Sequence, residues 1–193
     1  MKKLKILLPF QNYLKLKYYT ILCPMEISGL GKISYSKKNK TDIRIEDVFI
    51  FPQKVGYSST DLDKKSISLF FEKEYAKSKT ISDIRLWWHS HADAPVCFSP
   101  TDEFTIEDFW GKTSDFIISL VVNHKMDMVA RIDVFNPFIN TIENIDIEIT
   151  SKEDKILENK IRKELKENVK MSKRRALWLK NPKIKDTGDN LIS

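Results

Sequence analysis

Two histidines that directly follow a short apolar strand constrain this sequence more than any other feature. Residues 84–88, IRLWW, have the length and composition of a buried strand, and the chain then continues into His89, Ser90 and His91. Side chains at positions i and i+2 of an extended chain project to the same side. Both imidazoles are therefore predicted to reach one metal ion, and histidine is a ligand that suits zinc.

A third ligand for the same ion is available in the segment SPTD, residues 99–102. Pro100 and Asp102 are typical of the first turn of a helix, where proline is accepted and the helix dipole stabilises a carboxylate. We expect the loop before this helix to fold back on the strand end. Three protein ligands and one open position are the arrangement of hydrolytic zinc sites, in which the pKa of bound water falls to about 7.

A hydrolytic site also needs a general base that is not a metal ligand. Glu26 is the candidate, because it begins a predicted strand, MEISGLG, whose apolar neighbours make an isolated carboxylate costly. Ser99 lies three residues before Asp102. Its hydroxyl is a candidate hydrogen-bond donor to the oxyanion that forms on an attacked carbonyl.

Together these residues resemble the signature of the JAMM (MPN-plus) metalloproteases, H-x-H followed after seven residues by S-x-x-D. The segment MEISGLG is similar to the glutamate strand of that family, and FIISLVVN and RIDVFNP are similar to later family segments. The resemblance covers roughly residues 20–138 and is nearest to the shorter prokaryotic members. One departure is Ala92, where many relatives have proline.

The resemblance implies that zinc is bound by His89, His91 and Asp102, with Glu26 as the base and Ser99 as the oxyanion stabiliser. The implied fold is a mixed β-sheet flanked by helices, similar to cytidine deaminases. The implied activity is hydrolysis of a peptide or isopeptide bond after the C-terminal glycine of a ubiquitin-like or sulfur-carrier protein. The alternative is an MPN-type binding module that docks such a partner and does not cleave it.

The histidines and their neighbours also allow interpretations other than this metal site. The segment HSHAD also resembles the start of a metallo-β-lactamase motif, but Ala94 stands where that motif needs a histidine, and His124 alone remains downstream. Asp93 is expected to be a solvated loop residue, and His124 a polar turn residue. Cys23 and Cys97 are too few for a disulfide scaffold, and we expect two buried thiols.

The apolar periodicity predicts an α/β fold, in which helices cover a mixed sheet. The segment up to Leu22 fits a helix or a strand equally well. Strands are expected over residues 25–35, 43–51, 84–88, 116–122, 128–135 and 142–149. Helices are expected from residues 58–61 to Tyr75, over residues 100–110 and from residue 152 onward.

Charge divides the chain into two parts. Residues 1–150 contain 20 basic and 20 acidic residues, whereas residues 151–193 contain 13 basic and 7 acidic residues. We therefore predict a JAMM-like domain over residues 1–150 and a basic, helical C-terminal extension over residues 151–193. The balanced charge of the first part argues against nucleic acid as a partner.

The two ends of the chain carry further expectations. The apolar stretch near the N-terminus is short and interrupted by Pro9, so neither a signal peptide nor a membrane span is expected, and we predict a soluble, cytoplasmic protein. The basic run over residues 170–185 is typical of a solvated helix end, with docking to an acidic partner as the alternative. Nothing in the pattern determines the oligomeric state.

Overall fold

The computed structural model describes residues 3–35, 41–57, 59–150 and 156–170. Within these residues, a curled, mixed sheet of eight strands is flanked by helices, and three short strands form a second sheet. The large sheet contains β1 (Lys5–Pro9), β2 (Ser28–Tyr35), β3 (Asp42–Ile50), β6 (Ile84–Ser90), β7 (Phe116–Val122), β8 (Met128–Val134), β9 (Asn140–Ile142) and β10 (Asp146–Thr150). The small sheet contains β4 (Gln53–Val55), β5 (Thr60–Leu62) and β11 (Val169–Lys170).

The helices cover the large sheet, so the predicted α/β class is confirmed. They are α1 (Phe10–Leu22), α2 (Lys64–Ser78), α3 (Pro100–Thr105), α4 (Gly111–Thr113) and α5 (Ile156–Asn168). A π-helical turn over Ile106–Trp110 joins α3 to α4, so the helix predicted over residues 100–110 begins where expected and ends slightly later. No described helix is both long and apolar enough to cross a membrane.

Strand β6 lies in the interior of the large sheet, whose strand order is β10-β1-β3-β2-β6-β7-β8-β9. It pairs antiparallel with β2 and parallel with β7. A strand covered on both faces reads as a nearly continuous apolar run, which explains the composition of residues 84–88. The end of β6, where the two histidines lie, is therefore supported by a strand on each side.

The single strand predicted over residues 142–149 is wrong, because the structure contains two strands there. β9 pairs with β8 at one edge of the sheet, whereas β10 pairs with β1 at the other edge. Asn144, with a φ of 51°, interrupts the extended backbone between them. The three residues between β9 and β10 give four Cα–Cα steps, which span at most about 14 Å. The sheet therefore curls until its edges approach, and the Ile145 N–H donates to the Ala130 carbonyl.

The N-terminal segment, whose pattern fits a helix or a strand, contains one of each. β1 ends at Pro9, and α1 begins at the next residue. The helix packs against the sheet and against α5. Its Tyr19 hydroxyl donates to the Glu164 carboxylate of α5, which connects the C-terminal helix to the rest of the fold.

The predicted start of α2 is wrong by a few residues. Thr60–Leu62 form β5, which pairs with β4, and the helix begins only after Asp63. The Asp63 carboxylate accepts a hydrogen bond from the Ser66 N–H at 2.7 Å, as an N-cap does. Antiparallel pairing with β4, the preceding strand, outweighs the local helix-start signal, and residue 58 lies outside the described residues.

Two glycines on β2, Gly29 and Gly31, lie where the backbone approaches its neighbours closely. At Gly29, an added Cβ would lie 1.9 Å from the Phe49 carbonyl oxygen and 2.8 Å from Trp88 Nε1. The pairing register of β2 also shifts after Gly31 on the β6 side. The absence of a side chain therefore lets β2 pack closely between its neighbours.

Two hydrophobic clusters divide the interior. The larger contains Trp88 and Tyr19, together with Ile161 and Leu165 of α5. The smaller contains Trp87 and includes residues of β7 and the π-helical turn, with side chains of α2 packed against it. The predicted helix after residue 152 is observed as α5, but the basic run beyond residue 170 lies outside the described residues.

Candidate metal centre

The three predicted metal ligands come together at the end of β6. His89 Nε2 lies 3.1 Å from His91 Nε2 and 3.1 Å from Asp102 Oδ1. His91 Nε2 lies 3.5 Å from Asp102 Oδ2. All three side chains are buried, and their ligand atoms lie within 4.8 Å of one another, which is close enough to bind a metal ion.

The spacing of these atoms fits a small tetrahedral ion. With zinc–ligand bonds of about 2.0–2.1 Å, the ligand atoms of a tetrahedral site lie about 3.3–3.4 Å apart. The shortest distances between the three side chains, 3.1, 3.1 and 3.5 Å, bracket that value, and the two imidazoles face different oxygens of Asp102. Two imidazole nitrogens and one carboxylate are also a donor set typical of hydrolytic metal sites.

The two imidazoles are oriented in different ways. His91 Nδ1 donates to the Pro95 carbonyl at 3.1 Å, which leaves the Nε2 lone pair of the neutral ring for a cation. His89 Nδ1 is buried and has no hydrogen-bond partner among the described residues. Instead, the His89 ring stacks on Trp87, with ring centroids 4.7 Å apart and planes inclined by 28°.

Asp102 is placed by the start of α3. Ser99 is the N-cap, and its backbone N–H and hydroxyl both donate to Asp102 Oδ2 at 2.7 Å. The Asp102 N–H donates back to Ser99 Oγ, which completes a capping box. Burial raises the pKa of Asp102, but the contacts with the His89 and His91 rings and the hydrogen bonds from Ser99 outweigh burial and lower it. Only the protonated His91 ring can donate from Nε2 to Asp102, so this contact raises the pKa of His91.

Glu26 lies just before β2, beside the end of β6. The Glu26 N–H donates to the Gly56 carbonyl at 3.0 Å. The next residue, Ile27, receives the Ser90 N–H on its carbonyl and donates its own N–H to Ser90 Oγ. Burial raises the pKa of Glu26 to about 7; the charge of His91 lowers it and that of Asp102 raises it. The segment that carries Glu26 is therefore tied to the histidine strand.

All five predicted site residues line one cavity of about 510 Å³. Its walls also include hydroxyl groups from β2, β5 and α3 and the indole of Trp87. The residues predicted from sequence that line it are Glu26, His89, His91, Ser99 and Asp102. A substrate bound in this cavity would therefore contact the proposed base and the ligand cluster together.

The turn between β7 and β8 supports the loop after His91, a role that sequence reasoning missed. His124 Nδ1 lies 2.8 Å from Asp93 Oδ1, and its Nε2 lies 3.1 Å from the Cys23 carbonyl oxygen. The neighbouring Asn123 side chain donates to the Ala94 carbonyl. His124 thus joins the histidine loop to the segment before Glu26, whereas Asp93 is exposed as expected. The pairing of β7 with β6 brings them together, and local sequence does not encode it.

Ala92 adopts a conformation that proline cannot. Its φ is 45°, in the left-handed region, whereas a proline ring holds φ near −65°. Its carbonyl accepts the His124 N–H at 2.8 Å, so the strained residue is held by the turn described above. The loop after His91 therefore follows a path that a proline at position 92 would not allow.

The two cysteines are separate free thiols. Cys23 is buried, and burial raises the pKa of its thiol to about 11, which makes it unreactive. Cys97 is exposed on the loop before α3, so the expectation that both thiols are buried is wrong for this residue. The loop carries Cys97 on its outer side because Phe98, the next residue, packs inward on the smaller cluster.

Comparison with known proteins assigns neither a family nor an activity to the chain. The sequence matches no protein-family model, and no curated protein matches it at a significant level.

Proposed function

We propose that this chain is a zinc-dependent metallopeptidase of the JAMM type, in which His89, His91 and Asp102 bind the metal. The observation that carries the proposal is the convergence of three buried side chains whose ligand atoms lie within 4.8 Å of one another, close enough for one ion. A zinc ion held there would polarise a carbonyl and lower the pKa of water toward neutrality. The half-buried Glu26 in the same cavity supports a hydrolytic rather than a structural role.

In this proposal Glu26 is the general base and then the general acid. Burial raises its pKa above the ordinary value, which helps it to accept a proton from water and to release that proton to the leaving amine. The backbone hydrogen bonds of Glu26 and Ile27 fix this segment beside the cavity that the Glu26 side chain lines. A group that gains and loses one proton per turnover is most effective when its pKa lies near the working pH.

Ser99 is the proposed hydrogen-bond donor to the oxyanion, but its hydroxyl already donates to Asp102. A hydroxyl has one proton, and Ser99 Oγ donates it to Asp102 Oδ2 at 2.7 Å. To donate to an oxyanion, the hydroxyl must leave Asp102 and rotate toward the substrate. Its backbone N–H would still hold Asp102 Oδ2 during this rotation.

The proposed substrate is a peptide or isopeptide bond after the C-terminal glycine of a ubiquitin-like or sulfur-carrier protein. The cavity is lined by small hydroxyl side chains beside Trp87, which suits an extended chain with small residues. The resemblance of the H-x-H and S-x-x-D segments to JAMM proteases supports the same substrate class.

Metal analysis tests the ligand set. The purified chain is expected to bind about one zinc per molecule, and His89→Ala is expected to lose it, because one of three protein ligands is removed. Phe138→Ala is the control, since it removes an exposed side chain outside the cavity and is expected to leave the zinc content unchanged. Equal zinc content in His89→Ala and in the original chain would contradict the ligand assignment.

Cleavage of defined fusions tests the activity. The zinc-loaded chain is incubated with fusion proteins that carry a ubiquitin-like or sulfur-carrier domain, and mass spectrometry identifies the cut. Glu26→Gln is expected to keep zinc and to abolish cleavage, whereas Glu107→Gln, an exposed carboxylate outside the cavity lining, retains it. Cleavage by Glu26→Gln at the original rate would remove Glu26 from the mechanism.

A further inference from the structure

A buried arginine lies behind the helix that carries Asp102. Arg131 is on β8, and only 6% of its surface is exposed. Its Nη1 and Nη2 each donate to one carboxylate oxygen of Glu103 at 2.6 Å. Glu103 directly follows Asp102 in the first turn of α3. Two parallel bonds from a planar guanidinium restrict the orientation of that carboxylate more than one bond can.

The same guanidinium contacts the other end of the Asp102 segment. The Arg131 guanidinium carbon lies 4.3 Å from the centre of the Phe98 ring. Phe98 precedes Ser99, so Arg131 touches the residues immediately before and after the Ser99–Asp102 capping box. The segment that orients the proposed metal ligand is therefore held at both ends by one side chain.

Arg131 is itself fixed to the sheet. Its Nε donates to Asp133 Oδ2 at 2.9 Å, and Asp133 Oδ1 accepts from the Thr141 hydroxyl at 2.9 Å. Asp133 and Arg131 are two residues apart on β8 and lie on the same face. These hydrogen bonds link α3 to β8 and β9, so the two strands restrict the position of the start of the helix.

Stabilisation of the fold does not by itself explain why Arg131 and its carboxylate partners are charged. Removing charged groups from water costs free energy, and their mutual attraction often does not offset that cost. Proteins in which a buried ion pair is replaced by apolar side chains of similar size are frequently as stable. Directional bonds, by contrast, hold neighbouring residues in one geometry. The ends of the held segment lie next to Ser99 and Asp102, where the ligand carboxylate must face two imidazoles.

We propose that Arg131 is a positioning residue that holds Asp102 in the orientation needed to bind a metal cation. The inference rests on the proposed metal site and adds a residue to it that touches neither the cation nor the substrate. Arg131 acts through Glu103 and Phe98, which set the start of α3. Losing it is expected to weaken metal binding more than it weakens the fold.

The test compares metal affinity with stability in matched variants. Arg131→Met keeps much of the side-chain volume and removes the hydrogen bonds, and Arg131→Lys keeps the charge but not the paired bonds. Lys112→Met is the control. Lys112 and Arg131 both line a second cavity, separate from the one at the metal site, and Lys112 pairs with the exposed Asp108. Zinc affinity is measured by competition with a chromophoric chelator, and the spectrum of bound Co²⁺ reports the ligand geometry.

Arg131→Met is expected to lower zinc affinity at least tenfold and to alter the Co²⁺ spectrum, while Arg131→Lys loses less and Lys112→Met is unchanged. Urea unfolding in excess chelator measures the stability of each variant separately. Wild-type affinity and an unchanged Co²⁺ spectrum in a less stable Arg131→Met would overturn the proposal, since Arg131 would then be only structural.

Two further outcomes are decisive. If Arg131→Met does not fold, Glu103→Gln replaces one partner with a neutral amide of the same shape, and a threefold or larger loss of affinity is expected; no loss would overturn the proposal. A chain that binds no metal would overturn this inference and the metal site together. A chain that binds metal but cleaves no fusion leaves this test intact and counts against the proposed activity alone.

Discussion

The two faces of the large sheet place neighbouring tryptophans in different environments. Trp88 lies in the larger cluster and stacks on Tyr19 of α1, with ring centroids 5.7 Å apart. Trp87 lies in the smaller cluster and stacks on His89 beside the proposed metal centre. Successive residues of a strand project to opposite faces. One strand therefore supplies an apolar core on one face and a ligand site on the other.

This difference indicates where stability and function come from. The face that contains Trp88 is covered by α1 and α5 and is built mainly from apolar contacts. The opposite face buries His89, His91 and Asp102, ionisable groups that cost free energy unless they are paired or bind a cation. We therefore expect changes on the first face to affect mainly stability, and changes on the second to affect mainly metal binding.

The largest expected effect tests the apolar face. Trp88→Leu removes the stack on Tyr19 and the hydrogen bond to the Phe49 carbonyl, and should cost about 3 kcal/mol of unfolding free energy. Urea denaturation in excess chelator measures this loss. The zinc affinity of the folded variant should stay near that of the original chain. A tenfold loss of zinc affinity would show that the two faces are not independent.

The next effect tests the other face of the same strand. Trp87→Leu removes the ring that stacks on His89, whose Nδ1 lacks a hydrogen-bond partner among the described residues. We expect about a tenfold loss of zinc affinity, equivalent to about 1.4 kcal/mol. Trp87→Phe keeps an aromatic stack and should retain most of the affinity. Equal affinities of the Leu and Phe variants, measured by chelator competition, would argue against this role.

A smaller effect compares two helix caps on the site face. Asp63 caps α2 and Ser99 caps α3, so replacing either with alanine should cost about 1 kcal/mol of stability. Only Ser99→Ala should also weaken zinc binding, because the Ser99 hydroxyl holds Asp102 Oδ2. Thermal unfolding with chelator and zinc titration separate the two effects. A loss of zinc affinity in Asp63→Ala would contradict the distinction.

The smallest effect is a gain in stability. Folding raises the pKa of Glu26 from its ordinary value of 4.5 to about 7, so its contribution to stability is full below pH 4.5 and is lost as the pH rises through 7. Because Glu26 is half-exposed, solvent screening reduces the effect to about 0.5–1 kcal/mol.

Glu26→Gln should therefore be more stable than the original chain at pH 8 and equally stable at pH 4.5, when both are unfolded in excess chelator. The glutamine cannot ionise and avoids the cost of a half-buried charge. Zinc should reduce the difference at pH 8, because a nearby cation stabilises the carboxylate. A variant that is less stable at pH 8 would show that the carboxylate makes a favourable contact that its burial does not outweigh.

Local pattern predicted much of the fold because several segments have strong signals of their own. The nearly continuous apolar runs of β6 and β7 follow the burial of these strands on both faces. The start of α3 combines Ser99, Pro100 and Asp102, and the capping box forms as these residue types allow. Predictions failed where strand pairing decides the structure: β5 forms a hairpin with β4, and β10 pairs with the distant β1, whereas β9 pairs with β8.

The sequence by itself determined the candidate ligands, because His89 and His91 are two residues apart on one strand and Asp102 begins a helix soon after. Only the tertiary structure decided that Arg131 and His124 support them. Both lie on or beside strands that follow β6 in the sheet, and their partners are 28 to 101 residues distant in the chain. Such contacts depend on strand order and on the curl of the sheet, which arise from packing over the whole chain and leave no local periodicity to detect.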